Sequence, residues 1–231
     1  ILKPDTHSLT TYKEAETVLA QFEEMALQSE HIYHKLPSDK KDAFFQLVLY
    51  PTRASKNVMR VNIYAGLNNL YSKQGRIIAN LYADLTEKAF EELNQDTVYY
   101  NQTLADGKWN GIMSNAHIGQ TEWRSPERNI MPDIQRLPVM NGSEMGIAAE
   151  GSEDVWLENG TVRDLPAFSA LSREPHFIDI FNLKGDPFKV TLSPSEPWIV
   201  LQKRETIIHQ QQRIWVNIDW GKVPEGEEVT G

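Results

Sequence analysis

The stretch GKWNGIMSNAHIGQTEWRSPERNIMP, from Gly107 to Pro132, separates two different sequence patterns. It holds two Trp, one His, three Gly and two Pro within 26 residues, and it shows no helical or strand periodicity. A connection of this length is usually either functional or disordered. Its aromatic content is typical of an ordered loop, because disordered segments are poor in aromatic residues. We therefore expect an ordered joint, with helices before it and strands after it.

Before this loop, apolar residues recur with the period of amphipathic helices. The first helix is predicted from Ser8 to Lys35, capped by Ser8 or Thr10, with an inner face formed by Ala15, Val18, Leu19, Phe22, Met25, Ala26 and Ser29. It should end before Pro37, because the residue preceding a proline avoids the helical region. A second helix starts at Ser38, and its predicted inner face consists of Ala43, Phe44, Leu47 and Val48.

Pro51 is expected to kink or stop the second helix, since proline lacks the backbone N–H. Two further helical runs follow, at residues 55–73 and 76–105, separated by Gln74-Gly75 as a stop signal. Their predicted apolar anchors are Val58, Val61, Ile63, Ala65, Leu67 and Leu70, then Ile77, Leu81, Ala89, Phe90, Leu93 and Val98. Short turns between consecutive helices favour antiparallel neighbours. Residues 1–136 are therefore predicted to form an antiparallel up-and-down helical bundle that ends in the long loop.

After Pro132, short runs between turn signals predict strands at residues 145–149, 167–171, 176–183, 188–192, 198–202, 206–210 and 213–219. A turn is predicted at Glu158-Asn159-Gly160. This spacing is typical of an antiparallel, Ig-like β-sandwich, which we assign to residues 137–231. Residues 223–229 resemble a turn that leads into a further strand. We expect the last strand to be missing and the parent chain to continue beyond Gly231, since an unpaired edge is normally avoided.

Composition excludes several classes of function. The net charge of −9 leaves no basic stripe for phosphates, so no nucleic-acid partner is expected. The absence of cysteine removes disulfides, thiolate metal sites and a cysteine nucleophile. No run approaches 18 apolar residues, so no membrane partner is expected. Ile1 is not a start methionine, and no positively charged leader precedes it, so we expect a piece of a longer or processed chain.

Metal and carboxylate chemistry find weak support in the sequence. His31 and His34 lie one helical turn apart beside Glu30, but four ligands of defined geometry are not visible, so no metal site and no cofactor are predicted. A glycosidase needs two carboxylates on either side of a sugar. The pairs Glu122 with Glu127, and Asp179 with Asp219, are formal candidates. Asp179 and Asp219 alternate with apolar residues and should face solvent, so no catalytic residue is assigned.

Polar and aromatic side chains of the loop are the candidate site residues. His117 allows two interpretations: a hydrogen bond to a ligand or to a group of a neighbouring domain, or, as we favour, a buried histidine that holds the loop through backbone carbonyls. Trp109 and Trp123 allow stacking on a sugar or, as we favour, anchoring against the bundle. Trp198 and Trp220 in the strands are expected to lie in the core.

Several of these segments resemble glycoside hydrolase family 115, the xylan α-1,2-glucuronidases. In the loop the residues that carry the resemblance are Gly107-Lys108-Trp109-Asn110, His117-Ile118-Gly119, Trp123, Pro126 and Met131-Pro132. Elsewhere they are residues 41–51, Gln74-Gly75-Arg76, Tyr100-Asn101, Pro197-Trp198-Ile199 and residues 216–220. The family pattern usually continues His-Ile-Gly with an aromatic residue, commonly Tyr. Gln120 stands there in this chain, and Asn115-Ala116 also departs from the pattern.

The resemblance implies a parent protein with an N-terminal domain, a catalytic (β/α)₈ barrel, a helical bundle and a C-terminal β-sandwich. This chain corresponds to the bundle and most of the sandwich. The implied reaction removes glucuronic acid or its 4-O-methyl ether from xylan, with carboxylates on the barrel that have no counterpart here. The implied partners are the missing barrel and, through the parent, glucuronoxylan, and the implied location is secreted or periplasmic. The oligomeric state is open, with a homodimer among the alternatives.

A function of a different class fits the same patterns. The chain could be a stand-alone carbohydrate- or protein-binding module whose parent performs no catalysis. The residues preceding Ile1 distinguish the two hypotheses, because barrel periodicity over a few hundred residues supports the enzyme and a bare signal peptide excludes it. If the tyrosine that the family has at the position of Gln120 touches substrate, the resemblance implies that this protein binds a different uronic acid or linkage.

Overall fold

A computed structural model of the chain describes residues 1–121, 124–157, 164–226 and 228–231. Helices form the N-terminal part and antiparallel sheets the C-terminal part, so the predicted order of helices and strands is confirmed. The chain divides into two compact units: unit 1 comprises Ile1–Asn69 and Asn80–Arg136, and unit 2 comprises Leu70–Ala79 and Leu137–Gly231. The sequence did not predict that Leu70–Ala79 pack with the strands.

The helices are α1 (Glu14–Lys35), α2 (Ser38–Phe44), α3 (Tyr50–Lys73) and α4 (Ala79–Gln102). The predicted start of α1 at Ser8 is wrong, because Tyr12 and Lys13 have positive φ angles that a continuing helix does not allow. The predicted side-chain cap is also replaced, because the Ser8 main-chain carbonyl accepts a hydrogen bond from the Ala15 N–H at 3.2 Å. The helix ends at Lys35 as predicted.

Pro51 does not stop the helical path, which the sequence allowed as one outcome. The π-helical turn Phe45–Leu49 precedes it, and the Tyr50 N–H bonds to the Phe45 carbonyl five residues earlier. A proline ring clashes with the carbonyl four residues before it, and the wider turn accommodates the ring. The widening also changes the inward face. Phe45 and Leu49 are buried, whereas the predicted inner residues Ala43, Leu47 and Val48 are exposed.

The core of unit 1 joins α3, α4 and the loop. Its buried members are Phe45, Leu49, Tyr50, Ala54, Val61, Ala89, Leu93, Tyr100, Leu104 and Ile118. Three predicted anchors, Met25, Leu81 and Val98, are exposed instead. Met25 precedes the buried Ala26, so it lies about 100° around the helix from it. Leu81 and Val98 each lie two residues from a buried neighbour, which is about 200° around the helix.

Unit 2 contains six strands: β1 (Met145–Ala149), β2 (His176–Asn182), β3 (Phe188–Thr191), β4 (Ile199–Leu201), β5 (Glu205–Ile208) and β6 (Gln211–Ile218). A four-stranded sheet has the order β1-β2-β6-β4, and β3 pairs with β5 in a second sheet, with antiparallel pairing throughout. The predicted strand at 167–171 is wrong. The Ser169 carbonyl instead closes a turn with the Arg173 N–H, and Leu171 is almost fully exposed. The turn predicted at 158–160 lies outside the described residues.

The two faces of β2 have different environments. Ile178 and Ile180 alternate on one face and pack with Ile214 and Ile208 in the apolar core of unit 2. Asp179 lies on the other face, as alternation predicts, but the prediction that it faces solvent is wrong because it is only 4% exposed. Arg76, from the segment Leu70–Ala79, lies against this face and reaches the Asp179 carboxylate. Alternation identifies the face of a residue but not what covers that face.

Gly75 ends α3, as predicted, in a left-handed conformation with φ of +71°. The Arg76 N–H bonds to the Tyr71 carbonyl at 3.0 Å, and the Gly75 N–H bonds to the Ser72 carbonyl at 3.0 Å. These two bonds define a Schellman motif, in which glycine is favoured because it has no Cβ. The motif turns the chain so that Arg76 follows directly after the helix.

Asn182, at the end of β2, joins several turns of unit 2. Its side-chain oxygen accepts hydrogen bonds from the Glu144 and Lys184 N–H groups at 3.2 and 3.0 Å. Its side-chain nitrogen donates to the carbonyls of Asp186 and His209 at 2.8 and 3.3 Å. The residue itself is fully buried. One amide thus fixes the chain before β1, the turn into β3 and the turn before β6.

We predict that Asn182→Ala lowers the free energy of unfolding of unit 2 by roughly 2–4 kcal/mol, because a buried side chain is removed and four backbone groups lose its hydrogen bonds. Urea unfolding followed by far-UV circular dichroism measures the change. Asn217→Ala, at an exposed position of β6, is the matched control and should change stability little. Equal effects of the two substitutions would contradict the assigned role of Asn182.

Candidate functional site

The loop at residues 107–132 lies in unit 1 and begins at the 3-10 turn Leu104–Gly107. Trp109 is half-buried and packs against the bundle core together with Met113. The Lys108 ammonium lies 4.9 Å from the centre of the Trp109 ring. This placement matches the anchoring interpretation of Trp109. Trp123 and Glu122 lie outside the described residues.

Asn101, in the last turn of α4, holds the first part of the loop. Its Oδ1 accepts hydrogen bonds from the Gly111 and Met113 N–H groups at 3.1 and 3.0 Å. Its Nδ2 donates to the carbonyls of Met113 and Thr97 at 2.8 and 3.0 Å. Both ends of one side chain therefore bind the main chain, and the loop conformation around Gly111 is fixed by α4.

Asn129 holds the second part of the loop in the same manner. Its Oδ1 accepts hydrogen bonds from the His117 and Ile118 N–H groups at 2.6 and 3.2 Å, and its Nδ2 donates to Asn94 on α4 at 2.8 Å. The Ile130 N–H bonds to the Ile118 carbonyl at 3.1 Å. The His-Ile-Gly segment is thus held by a side chain from later in the same loop.

Asn68 on α3 makes a third attachment just beyond the loop. Its Oδ1 accepts a hydrogen bond from the Gln135 N–H at 2.7 Å, and its Nδ2 donates to the Gln135 carbonyl at 2.8 Å. The two bonds pair the side-chain amide with the N–H and the C=O of one residue, as a neighbouring strand would. We call Asn68, Asn101 and Asn129 the asparagine clamps.

His117 faces the bundle. Its Nε2 lies 3.1 Å from the Tyr50 hydroxyl, which lies 3.1 Å from the Thr97 hydroxyl. The two rings meet edge to face, with centroids 6.1 Å apart. We predicted that the ring would bond to backbone carbonyls; the Asn115 backbone does lie beside it, and the ring also contacts the Tyr50 hydroxyl of α3. Nδ1 is buried without a hydrogen bond of good geometry.

Burial lowers the pKa of His117, and the nearby Asn115 backbone offsets part of this effect. Burial likewise raises the pKa of Tyr50, while the bond to Thr97 opposes the rise. Both shifts favour the neutral forms of the pair. The neutral pair is suited to holding the loop on the bundle.

Gln120 also turns toward its own loop. Its Nε2 donates to the Ala116 carbonyl at 2.6 Å, four residues earlier. This bond joins the residue that follows the His-Ile-Gly segment to the residue that precedes it, and Gln120 is half-buried. Of the four candidate residues, Trp109, His117 and Gln120 thus belong to one ordered surface of unit 1.

A strip of charged side chains, which the sequence analysis did not identify, joins the helices of unit 1. Arg53 on α3 bonds to Glu30 on α1 and to Asp96 on α4. Two turns further along, Arg60 bonds to Glu23 at 2.7 Å and lies 3.8 Å from Glu92. A sequence signal exists, because Arg53, Lys56 and Arg60 share one face of α3.

Two groups of this strip have shifted pKa values. Burial raises the pKa of Asp96, and Arg53 opposes the rise. Burial lowers the pKa of Lys56, and the neighbouring Arg60 adds to the effect. Shifted pKa values occur at active sites and also in structural ion networks. Here the partners come from three helices, which is the arrangement of a structural network.

The remaining candidate groups are not brought together. His31 and His34 are exposed, and Glu30 is engaged by Arg53. Asp219 pairs with Lys222 at 2.8 Å, and this bond lowers the pKa of the Asp219 carboxyl. Within residues 1–121, 124–157, 164–226 and 228–231, no group of three or more metal-binding side chains converges. No helix in that part of the chain is long and apolar enough to cross a bilayer.

The clamps are the residues that sequence reasoning missed. A signal was present, since asparagine is unfavourable inside helices unless its side chain finds a local partner. Asn68 and Asn101 both occupy helical positions. The partner could not be predicted, because it lies 67 residues away for Asn68.

We predict that Asn101→Ala destabilises unit 1 by roughly 1–3 kcal/mol, because the loop loses its attachment to α4 and the Met113 main chain loses its partners. Hydrogen exchange should become faster at the Met113 amide. Asn110→Ala, at an exposed position of the same loop, is the control. Unchanged protection at Met113 would show that the clamp does not order the loop.

The stability of unit 1 should fall as the pH drops below about 6.5, the ordinary histidine pKa, because the unfolded chain then takes up a proton that folded His117 resists. The decline continues until the pH passes the lowered pKa of the folded state. His117→Gln keeps an amide near Tyr50 and cannot titrate, so it should make the pH dependence shallower. Thermal unfolding between pH 5 and 8 tests this, with His31→Gln on the exposed face of α1 as the control. Identical pH profiles for wild type and His117→Gln would exclude the proposed burial effect.

No protein-family model matches the chain, and the search of the curated proteins finds no match. The resemblance to glycoside hydrolase family 115 therefore stays a prediction that rests on the quoted residues.

Proposed function

We propose that this chain is an accessory region of a family 115-like glycoside hydrolase that acts on glucuronic-acid-substituted xylan. In this proposal the catalytic barrel belongs to a part of the parent outside the present sequence. Unit 1 supports that barrel, and unit 2 is the Ig-like β-sandwich of the family. The parent acts outside the cytoplasm, in a secreted or periplasmic setting.

The ordered loop is the observation that carries the proposal. The Asn129 clamp holds the family-like segment at 117–119, and the Asn101 clamp binds Gly111 and Met113, directly after the family-like segment at 107–110. A loop fixed at this many main-chain positions loses little conformational entropy when another surface binds to it. Ile112 and Ile130 are exposed on it, which suits a contact with a further domain.

The carboxylates argue for a supporting role. A glycosidase general acid requires a raised pKa, and its partner carboxylate must face the sugar. Asp179 is buried between two guanidinium groups, and Lys222 lowers the pKa of Asp219. The pair Asp179 with Asp219 is therefore poorly suited to glycoside hydrolysis, and Glu122 of the other candidate pair lies outside the described residues.

Unit 2 is consistent with a sandwich through its apolar core. Ile180 and Ile214 of the four-stranded sheet pack with Ile208, Phe188 and Val190 of the β3–β5 pair. Two antiparallel sheets that share one core are the basis of a sandwich. The Ig-like topology is part of the proposal.

Release of glucuronic acid from glucuronoxylan tests the function. The parent protein should release it, the parent without residues 1–231 should lose at least about tenfold of kcat/KM, and the present chain alone should release none. Release by the present chain would overturn the proposal. A parent in which only a signal peptide precedes Ile1 would also overturn it and would favour a binding module.

A further inference from the structure

Leu70–Ala79 belong to unit 2, although about sixty residues separate them from its next segment. The Schellman motif at Gly75 places Arg76 immediately after α3. The guanidinium lies 4.4 Å from the ring centre of Tyr71 and 4.0 Å from that of Phe181. Only 3% of the Arg76 side chain is exposed. A guanidinium stacked on two rings is a specific fit that lysine does not reproduce.

Polar contacts also fix the orientation of the Arg76 guanidinium. Arg76 Nη1 donates to Asp179 Oδ2 at 3.3 Å and to Gln211 Oε1 at 2.8 Å. The other carboxylate oxygen, Asp179 Oδ1, accepts from Arg213 Nε at 2.9 Å. Asp179 and Arg213 are directly opposed on β2 and β6. Arg76 therefore completes an ion cluster that belongs to the two central strands of the sheet.

Two further bonds flank Arg76 along the segment. The Ile77 N–H donates to the Asn182 carbonyl at 3.1 Å, so the segment is attached to the end of β2. Gln74 Nε2 donates to the Glu153 carbonyl at 2.7 Å, just after β1. The segment is thus fixed at three successive places on unit 2.

We propose that Leu70–Ala79 act as an intramolecular strap without which the sheet of unit 2 does not hold its native packing. Arg76 is the residue that attaches the strap to the face of the sheet, and we call it the pin. When the strap is absent, Asp179 and Phe181 lose the group that covers them, and the buried face of β2 and β6 opens to water. The sheet unit therefore cannot be separated from the helices by cutting the chain at residue 136, where the sequence pattern changes.

The experiment uses the full chain, with a protease site inserted between Arg136 and Leu137 and cleaved after folding. The two pieces of the cleaved wild type should elute together on size exclusion at the mass of the intact chain. Cleaved Arg76→Met should separate or precipitate. Lys73→Met, at an exposed position of the same segment, is the matched control and should behave as the wild type. Separation of the cleaved wild type into two folded pieces, or equal retention in Arg76→Met, would overturn the proposal.

Hydrogen exchange in the uncleaved chain provides a second measurement, in case Arg76→Met folds poorly. Arg76→Lys keeps the charge and loses the planar stack. It should increase exchange of the amides in β2 and β6 at least about tenfold relative to Lys73→Met. Exchange in the middle of α4 should not change. Unchanged protection of β2 and β6 in Arg76→Lys would show that the pin does not hold the sheet.

Discussion

The Asp179 carboxylate, shared between Arg76 and Arg213, is the interaction on which unit 2 depends most. One negative charge faces two positive charges in a place almost without water, so each guanidinium requires additional partners. Gln211 supplies one, and the rings of Tyr71, Phe177 and Phe181 supply the others. Removing a partner from such a cluster leaves an uncompensated buried charge, which is far more unfavourable than losing a surface ion pair. The cluster therefore specifies one arrangement of the segment on the sheet.

Sequence periodicity predicted most of the elements because it reports which residues share a face. The stop at Gly75, the end of α1 before Pro37 and the strand at Met145–Ala149 follow from local rules. The wrong predictions concern which other part of the chain packs against a given face. Asp179 alternates as a solvent-facing residue would, yet a distant segment covers it. Near Pro51, the π-helical turn changes which residues point inward. A prediction that assumes 3.6 residues per turn throughout the helix does not include this change.

The order of the loop has a different origin from the one predicted. Aromatic content suggested that tryptophans hold it, and Trp109 does pack on the core. Most of its main-chain hydrogen bonds to the bundle, however, go to asparagine side chains. Hydrophobic contacts tolerate small displacements. An amide that makes two hydrogen bonds to one residue fixes both the distance and the orientation of that residue's main chain relative to the amide. This distinction matters for the proposed role, since a surface that binds another domain must keep its main chain in one place.

The asparagine clamps also make the order of the loop sensitive to hydrolysis of their side-chain amides. Each clamp uses both the oxygen and the nitrogen of its amide, so the isosteric acid cannot replace it: a carboxylate accepts hydrogen bonds but does not donate them. Slow hydrolysis of the Asn101 amide would thus set a carboxylate against the Met113 carbonyl that now accepts a bond. The chain has no cysteine and therefore no disulfides, so the hydrogen bonds of these amides are the cross-links that hold the loop. Changes in redox potential leave such cross-links intact, whereas hydrolysis of one amide would remove one of them.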